Sequence, residues 1–164
     1  MTKSAFVSAA LAAFLLACSG QPRVPAAEPG PALLAGYVRA WNQHDFAALD
    51  TLLTPDAVHD DIAQGFHGQG PGQIKDFMRE LIKLEPDFNW RLTTVVAAGS
   101  PLAAEWTWTA TYTGPSPGGP VVGRRISGQG ASIVVIENGR IKRFADYYDV
   151  ASFFPPMPAT STGK

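Results

Sequence analysis

Apolar residues recur along this chain with two different periods, and the change from one to the other divides it into a helical half and a sheet half. Leu33, Leu34, Tyr37, Val38 and Trp41 fall at helical spacing and give a first helix one apolar face. The polar run Asn42 to Asp45 interrupts it. Phe46, Leu49, Leu52 and Leu53 then predict a short second helix. It stops at Thr54-Pro55, because the residue before a proline avoids the helical region. Gly70-Pro71 predicts the start of a third helix, with proline tolerated in its first turn. Ile74, Phe77, Met78, Leu81 and Ile82 supply its buried face, and Pro86 marks its stop.

From Phe88 onward the period becomes two. Trp90, Leu92, Thr94 and Val96 alternate with Arg91, Thr93 and Val95. In the next strand Trp106, Trp108, Ala110 and Tyr112 share one face, with Glu105, Thr107, Thr109 and Thr111 on the other. Gly114 to Gly119 reads as a loop. In the last hairpin, the β-branched run Ile133 to Ile136 is followed by Asn138-Gly139, a pair suited to the positive φ of a two-residue turn. On the return strand Lys142, Phe144, Asp146 and Tyr148 are expected on one face. Ile141, Arg143, Ala145, Tyr147 and Asp149 are expected on the other. Helices followed by strands with short turns predict an α+β domain, its helices packed on one face of an antiparallel sheet.

The two ends follow neither period. Lys3, the apolar stretch Ala5 to Leu16 and the closing Leu15-Leu16-Ala17-Cys18 read as an export signal over residues 1–17. Those last four residues resemble the bacterial lipobox, which implies that Cys18 is lipidated and anchors an exported protein to a membrane of the cell envelope. Cys18 is the sole cysteine, so an internal disulfide is ruled out. Four prolines within Gln21 to Pro31 make residues 18–31 a stiff tether, and residues 155–164 read as a disordered tail. Residues 32–154 remain as one domain. With 13 basic and 14 acidic residues and no basic run, nucleic acid is excluded as a partner.

The order of elements resembles the nuclear transport factor 2-like superfamily. Tyr37-Val-Arg-Ala-Trp41, the run Pro55 to Asp60, His67-Gly68 before a helix, and an Asn-Gly hairpin ending in Asp146-Tyr-Tyr-Asp149 carry the likeness. Within it the chain is most similar to SnoaL-like polyketide cyclases and ketosteroid isomerases, over about Leu33 to Phe154. The resemblance implies a strongly curved antiparallel sheet wrapped around three N-terminal helices into a cone with an apolar ligand pocket. Isomerase positions fall on Tyr37 and Asp60, and their third acid falls at Ala131, which cannot donate. The cyclase acid falls on Asp146, and its histidine partner on Ser132. The last strand is also similar to that of the limonene-epoxide hydrolases, whose earlier Arg and Asp are replaced here by Trp106 and Trp108.

Asp146 is the residue on which these readings converge. A carboxylate between two aromatics on one strand face is costly to bury unless it is paired or functional. The expected catalytic set is Asp146, Asp60 and Tyr37, with Asp60 in the pocket and Asp61 solvated. Trp41, Trp106, Trp108, Ser132, Phe144 and Tyr148 are expected to bind the ligand. His59, His67, Asp60 and Asp61 match no metal-ligand spacing, so neither metal nor other cofactor is expected. Three functions follow from the residues. The tether favours a surface-anchored binder of a small hydrophobic molecule. An acid/base enzyme acting through Asp146 is the second. The third is an interaction domain that pairs into a homodimer through its Thr107, Thr109 and Thr111 face.

Overall fold

The computed structural model describes residues 29–96, 99–116, 119–120 and 123–153. The export signal, Cys18, residues 18–28 of the tether and the tail from 155 lie outside the described residues. The first helix, α1 (Pro29–Asn42), starts three residues inside the stretch assigned to the tether. Two prolines in a first helical turn cost little, since their missing N–H groups would be unpaired there anyway. A short α2 (Phe46–Leu52) follows, capped by the Asp45 carboxylate, which accepts from the Ala47 and Ala48 N–H groups. Such a cap is worth about 1 kcal/mol.

The chain next forms β1 (Leu53–Asp61), β2 (Phe66–Gln69) and α3 (Gly70–Leu84). Then come β3 (Asn89–Val96), β4 (Leu102–Tyr112), a small hairpin of β5 (Pro115–Ser116) and β6 (Gly119–Pro120), β7 (Arg124–Glu137) and β8 (Arg140–Tyr148). A single 3-10 turn, Val150–Phe153, closes the described chain. The six long strands form one curved sheet in the order β2-β1-β8-β7-β4-β3. Its concave face wraps the helices. Leu34, Tyr37, Val38 and Trp41 of α1 and Ile74 and Met78 of α3 are buried against Leu102, Val134 and Phe144 of the sheet.

Two details depart from the sequence expectation. The sheet is mixed, because β1 runs parallel to β8. No hairpin links these strands, so their direction is set by how the chain wraps around α3. The second departure is at the start of β8. Val135 pairs with Arg143, but its neighbour Ile136 pairs with Ile141, so Lys142 is the extra residue of a bulge. The bulge turns Ile141 into the core, where it is fully buried, and frees Lys142 to pair with Asp56. Beyond it the expected alternation resumes, with Phe144 and Asp146 on the inner face.

Both indoles of β4 face inward, and β7 makes room for them. Trp106 pairs with Gly130 and Trp108 with Gly128. A Cβ built on Gly130 would lie 2.5 Å from the Trp106 ring, and one on Gly128 would lie 2.6 Å from Trp108 Nε1. The two rings lie over β7 because the residues opposite have no side chains.

Candidate functional site

The concave face and α3 enclose a cavity of ≈ 310 Å³. Its wall is aromatic: Trp41, Phe77, Phe88, Trp90, Trp106, Trp108, Tyr148 and Phe153 all contribute. Its polar groups are His59, Asp61, Gln64, Glu80, Glu85 and Asp146, with no lysine or arginine among the described lining residues. A site of this kind takes an apolar molecule and orients it with a few polar contacts.

Asp146 lies at the centre of a buried network. Trp106 Nε1 donates to Ser132 Oγ at 2.7 Å, and Ser132 Oγ donates to Asp146 Oδ1 at 2.5 Å. The other oxygen, Oδ2, is 3.1 Å from His59 Nε2, and His59 Nδ1 is 3.2 Å from the Tyr37 hydroxyl. The bonds form one consistent set when Tyr37 donates to Nδ1 and the imidazole donates from Nε2, a tautomer assigned from the network. Both carboxylate oxygens then accept, as a carboxylate does. Each oxygen has a further lone pair, and the residue borders the cavity. Tyr37 itself is 0% exposed, and burial pushes its hydroxyl far above the usual phenol range.

A second acid arm stands beside the first. Asp61 is the register partner of Asp146 on the neighbouring strand. Its Oδ2 accepts from the Tyr148 hydroxyl at 2.6 Å, and its Oδ1 accepts from the Gln64 N–H at 2.9 Å. Burial raises the Asp61 carboxyl above the usual range, the charge of Asp146 adds to this, and the Tyr148 bond opposes it. Burial likewise pushes Glu85, at the cavity margin, up to about 7, helped by the charge on Asp87. Two carboxyls in different surroundings on one wall can divide the roles of proton acceptor and proton donor.

The sequence-predicted residues separate into those that line the cavity and those that do not. Asp146, Trp41, Trp106, Trp108 and Tyr148 line it. Ser132, Phe144 and Tyr37 lie behind the wall, where the Tyr37 ring packs against Trp41, Trp90 and Phe144. They support the site without bordering it. Asp60 is a correction: it points away from the cavity and is paired with Arg143 at 2.7 Å and His67 at 2.6 Å. Those two bonds outweigh burial and hold its carboxyl below the usual range. Asp61, expected in solvent, is 4% exposed and lines the cavity in its place. The reason is parity. Ala57, His59 and Asp61 alternate inward along β1, which turns Asp60 outward.

His59, Gln64, Trp90 and Glu85 are cavity residues that the sequence reading did not select. The alternation from Ala57 to Asp61 along β1 is the feature of the sequence that points His59 inward. Among the described residues no group of three or more metal-binding side chains is present.

With that geometry established, the chain can be set beside known proteins. The model of the family described as SnoaL-like polyketide cyclase matches residues 32–155. No match was found among curated proteins. Among solved structures, a candidate polyketide cyclase from Pseudomonas putida is 30% identical, with a TM-score of 0.59, covering 73% of this chain and 91% of that one. Wild-type IdmH from Streptomyces antibioticus, another candidate polyketide cyclase, is 20% identical with a TM-score of 0.68, covering 77% and 95%. A protein of ketosteroid isomerase-like fold from Catenulispora acidiphila, solved with trimethylamine, is 20% identical with a TM-score of 0.66, covering 75% and 89%. The two likenesses at 20% identity establish the shared fold.

Proposed function

This chain belongs to the SnoaL-like polyketide cyclase family, and on that premise we propose that it binds a small, largely apolar, carbonyl-bearing molecule in its cone and moves a proton on it through Asp146. The observation that carries this reading is the placement of Asp146. It borders an aromatic cavity, and Ser132 and His59 fix both its oxygens while leaving lone pairs for a substrate C–H or O–H. A carboxylate so fixed is positioned before the substrate arrives, and positioned proton transfer contributes about 10²–10⁴-fold in rate. Asp61 and Tyr148, hydrogen-bonded to each other on the same wall, are the groups suited to returning the proton. The absence of lysine and arginine from the described lining disfavours an anionic ligand.

The test needs no knowledge of the natural substrate. β-Tetralone, an enolisable bicyclic ketone, exchanges its α-hydrogens with deuterated buffer, and NMR follows the exchange directly. The full-length protein should accelerate it, and Asp146→Asn should lose at least about 10²-fold of that acceleration while still binding the ketone. If the ketone binds but exchanges no faster than in buffer, Asp146 is an anchor and the domain a binder.

The non-catalytic reading has its own support in Leu15-Leu16-Ala17-Cys18. A lipid-anchored, exported protein facing outward suits the capture of hydrophobic molecules. A homodimer is part of the same proposal, formed through the open face of the sheet, where Ile133 and Tyr147 are 37% and 44% exposed.

A further inference from the structure

Carboxyl groups and aromatic rings share the cavity wall, and one of those carboxyls has nothing to bond to. Four acids line it: Asp61, Glu80, Glu85 and Asp146. Asp146 accepts from Ser132 and His59, Asp61 accepts from Tyr148 and Gln64, and Glu80 pairs with Lys83 at 2.6 Å. Among the described residues, the half-buried Glu85 carboxyl has neither a hydrogen bond nor an ion pair. The charge nearest it is Asp87, which joins burial in pushing Glu85 up to about 7. Water at this position therefore does not make up for the missing partner.

The fold sets this acid among rings and toward the far end of the cavity from Asp146. Glu85 closes α3, its N–H donating to the Leu81 carbonyl at 2.8 Å, and the Phe88 N–H donates back to the Glu85 carbonyl at 3.0 Å. That turn brings Phe88 to the same part of the wall. Its ring lies 5.7 Å from Trp108, which in turn lies 4.7 Å from Phe153 at 83°, and all three border the cavity. Just past the end of β4, the Thr113 N–H donates to the Leu84 carbonyl at 2.8 Å and ties the end of α3 there. Asp146 instead shares a strand row with Ser132 and Ala104, near the start of β4.

We propose that the ligand carries an organic ammonium group, which Glu85 holds as counter-ion among Phe88, Trp108 and Phe153. The inference rests on the reading of the cavity as a ligand site and deepens it by naming a second polar group of the ligand, at the end away from the one Asp146 meets. Three features of the site favour that charge. Aromatic rings attract organic cations through the negative potential of their faces. The C-terminus of α3, at the same turn, adds partial negative charge. No lysine or arginine among the described lining residues competes for the carboxylate. A cation there gives Glu85 the partner that the fold does not, and its apolar body fills the aromatic remainder of the cavity.

Two probes of one shape separate charge from burial. Benzyltrimethylammonium carries N⁺ where neopentylbenzene carries carbon, and its charge does not titrate. Binding of each to the full-length protein at pH 8, where Glu85 is ionised, is read from tryptophan fluorescence, since all four tryptophans of the chain line the cavity. The wild type should bind both. Glu85→Gln removes a charge and no side-chain bond. It should weaken the cation at least about 10-fold, the loss of one partly buried ion pair, and the hydrocarbon by less than about 2-fold.

Glu80→Gln is the control, because Glu80 is exposed and already paired with Lys83. Its affinity for the cation should stay within about 2-fold of the wild type. If it weakens the cation as much as Glu85→Gln does, the acids act only as a diffuse field and the proposal is overturned. A wild type that takes the hydrocarbon but not the cation overturns it, and so does a Glu85→Gln protein that loses both probes equally or neither. If neither probe binds the wild type, the cavity reading itself fails and takes this inference with it. Proton transfer at Asp146, read from hydrogen exchange of β-tetralone, stands or falls separately from Glu85.

Discussion

His59 Nε2 lies 3.1 Å from Asp146 Oδ2, and the same imidazole reaches the Tyr37 hydroxyl with its other nitrogen at 3.2 Å. One side chain thereby joins helix α1, strand β1 and strand β8. The junction depends on the parallel pairing of β1 with β8, which sets His59 beside Phe144 and Asp61 beside Asp146. His59 is 2% exposed, so its partners have little access to water if it is removed.

His59→Leu should therefore destabilise the fold by about 3 kcal/mol, because it leaves a buried carboxylate and a buried hydroxyl each short of a partner. His59→Gln should recover part of the loss, as its amide can still donate to Asp146. Urea unfolding measures both. A cost below about 1 kcal/mol for the leucine variant would mean that Ser132 alone suffices to hold Asp146.

The β1 run also shows where sequence reading succeeded and where it stopped. Pleat parity groups Asp146 with Phe144 and Tyr148, and the resemblance to cyclases assigns that face to the interior of the cone; parity likewise groups Trp106 with Trp108, and both groupings hold because β8 beyond its bulge and β4 are regular. Lys142 broke the pattern, since a bulge leaves no mark in the alternation of residue types. Asp60 and Asp61 were exchanged because β1 opens with Thr54-Pro55 and carries Asp56 and Val58 on its outer side, a sequence too polar to announce a strand. The partner that makes Asp60 an outer residue, Arg143, lies 83 positions away. The cavity role of Trp90 depends on α1 and β3 meeting in space, through Asn42, Tyr37 and Trp41, which no local pattern encodes.

The two adjacent acids should behave as opposites. Asp60→Asn breaks a largely surface cluster with Arg143 and His67 and should cost about 1 kcal/mol or less, with affinity for a cavity probe unchanged. Asp61→Asn alters a cavity wall group bonded to Tyr148 and Gln64 and should change probe affinity by about 10-fold, roughly one hydrogen bond. Calorimetric titration of both variants with methyl β-naphthyl ketone checks this. Equal effects would place both acids outside the site.

Gly130→Ala tests how the indoles are seated. The added methyl group meets the Trp106 ring at 2.5–2.7 Å and the Tyr147 carbonyl oxygen at 2.6 Å. The ring must shift, and its N–H must leave Ser132. Overpacking of this kind costs about 1–3 kcal/mol, and the Trp106 indole resonance should move as its hydrogen bond is lost. An unchanged resonance with unchanged stability would show that the close approach is readily relieved.

Membrane attachment is separable from the domain. If Cys18 carries a lipid, Cys18→Ser should transfer the protein from the membrane fraction of expressing cells to the soluble fraction, with its thermal midpoint unaltered. A single acyl chain binds membranes only marginally, so the shift should be complete only where the native anchor carries more than one chain. Identical fractionation of the two proteins would remove the lipid anchor from the account.

Glu85 gives the fold a dependence on pH whose sign can be worked out. It follows the last turn of α3, where the helix dipole disfavours negative charge, and burial together with the charge on Asp87 pushes it up from 4.5 to about 7. The folded state therefore holds this proton more tightly than the unfolded chain does. The penalty for ionising it is absent below about pH 4.5 and complete above about pH 7, so stability falls as pH rises through that window. A shift of this size corresponds to about 3 kcal/mol without screening, and the partly solvated position reduces it to about 1 kcal/mol. Glu85→Gln removes the proton equilibrium and keeps the shape. Asp61, shifted in the same direction, stays in both proteins, so the difference between them isolates Glu85. Thermal midpoints of the two proteins should converge toward pH 4.5 and separate by about 3 °C in favour of the glutamine variant at pH 8. Midpoints that differ by a constant amount across the range would show that Glu85 titrates in the fold as it does in the unfolded chain.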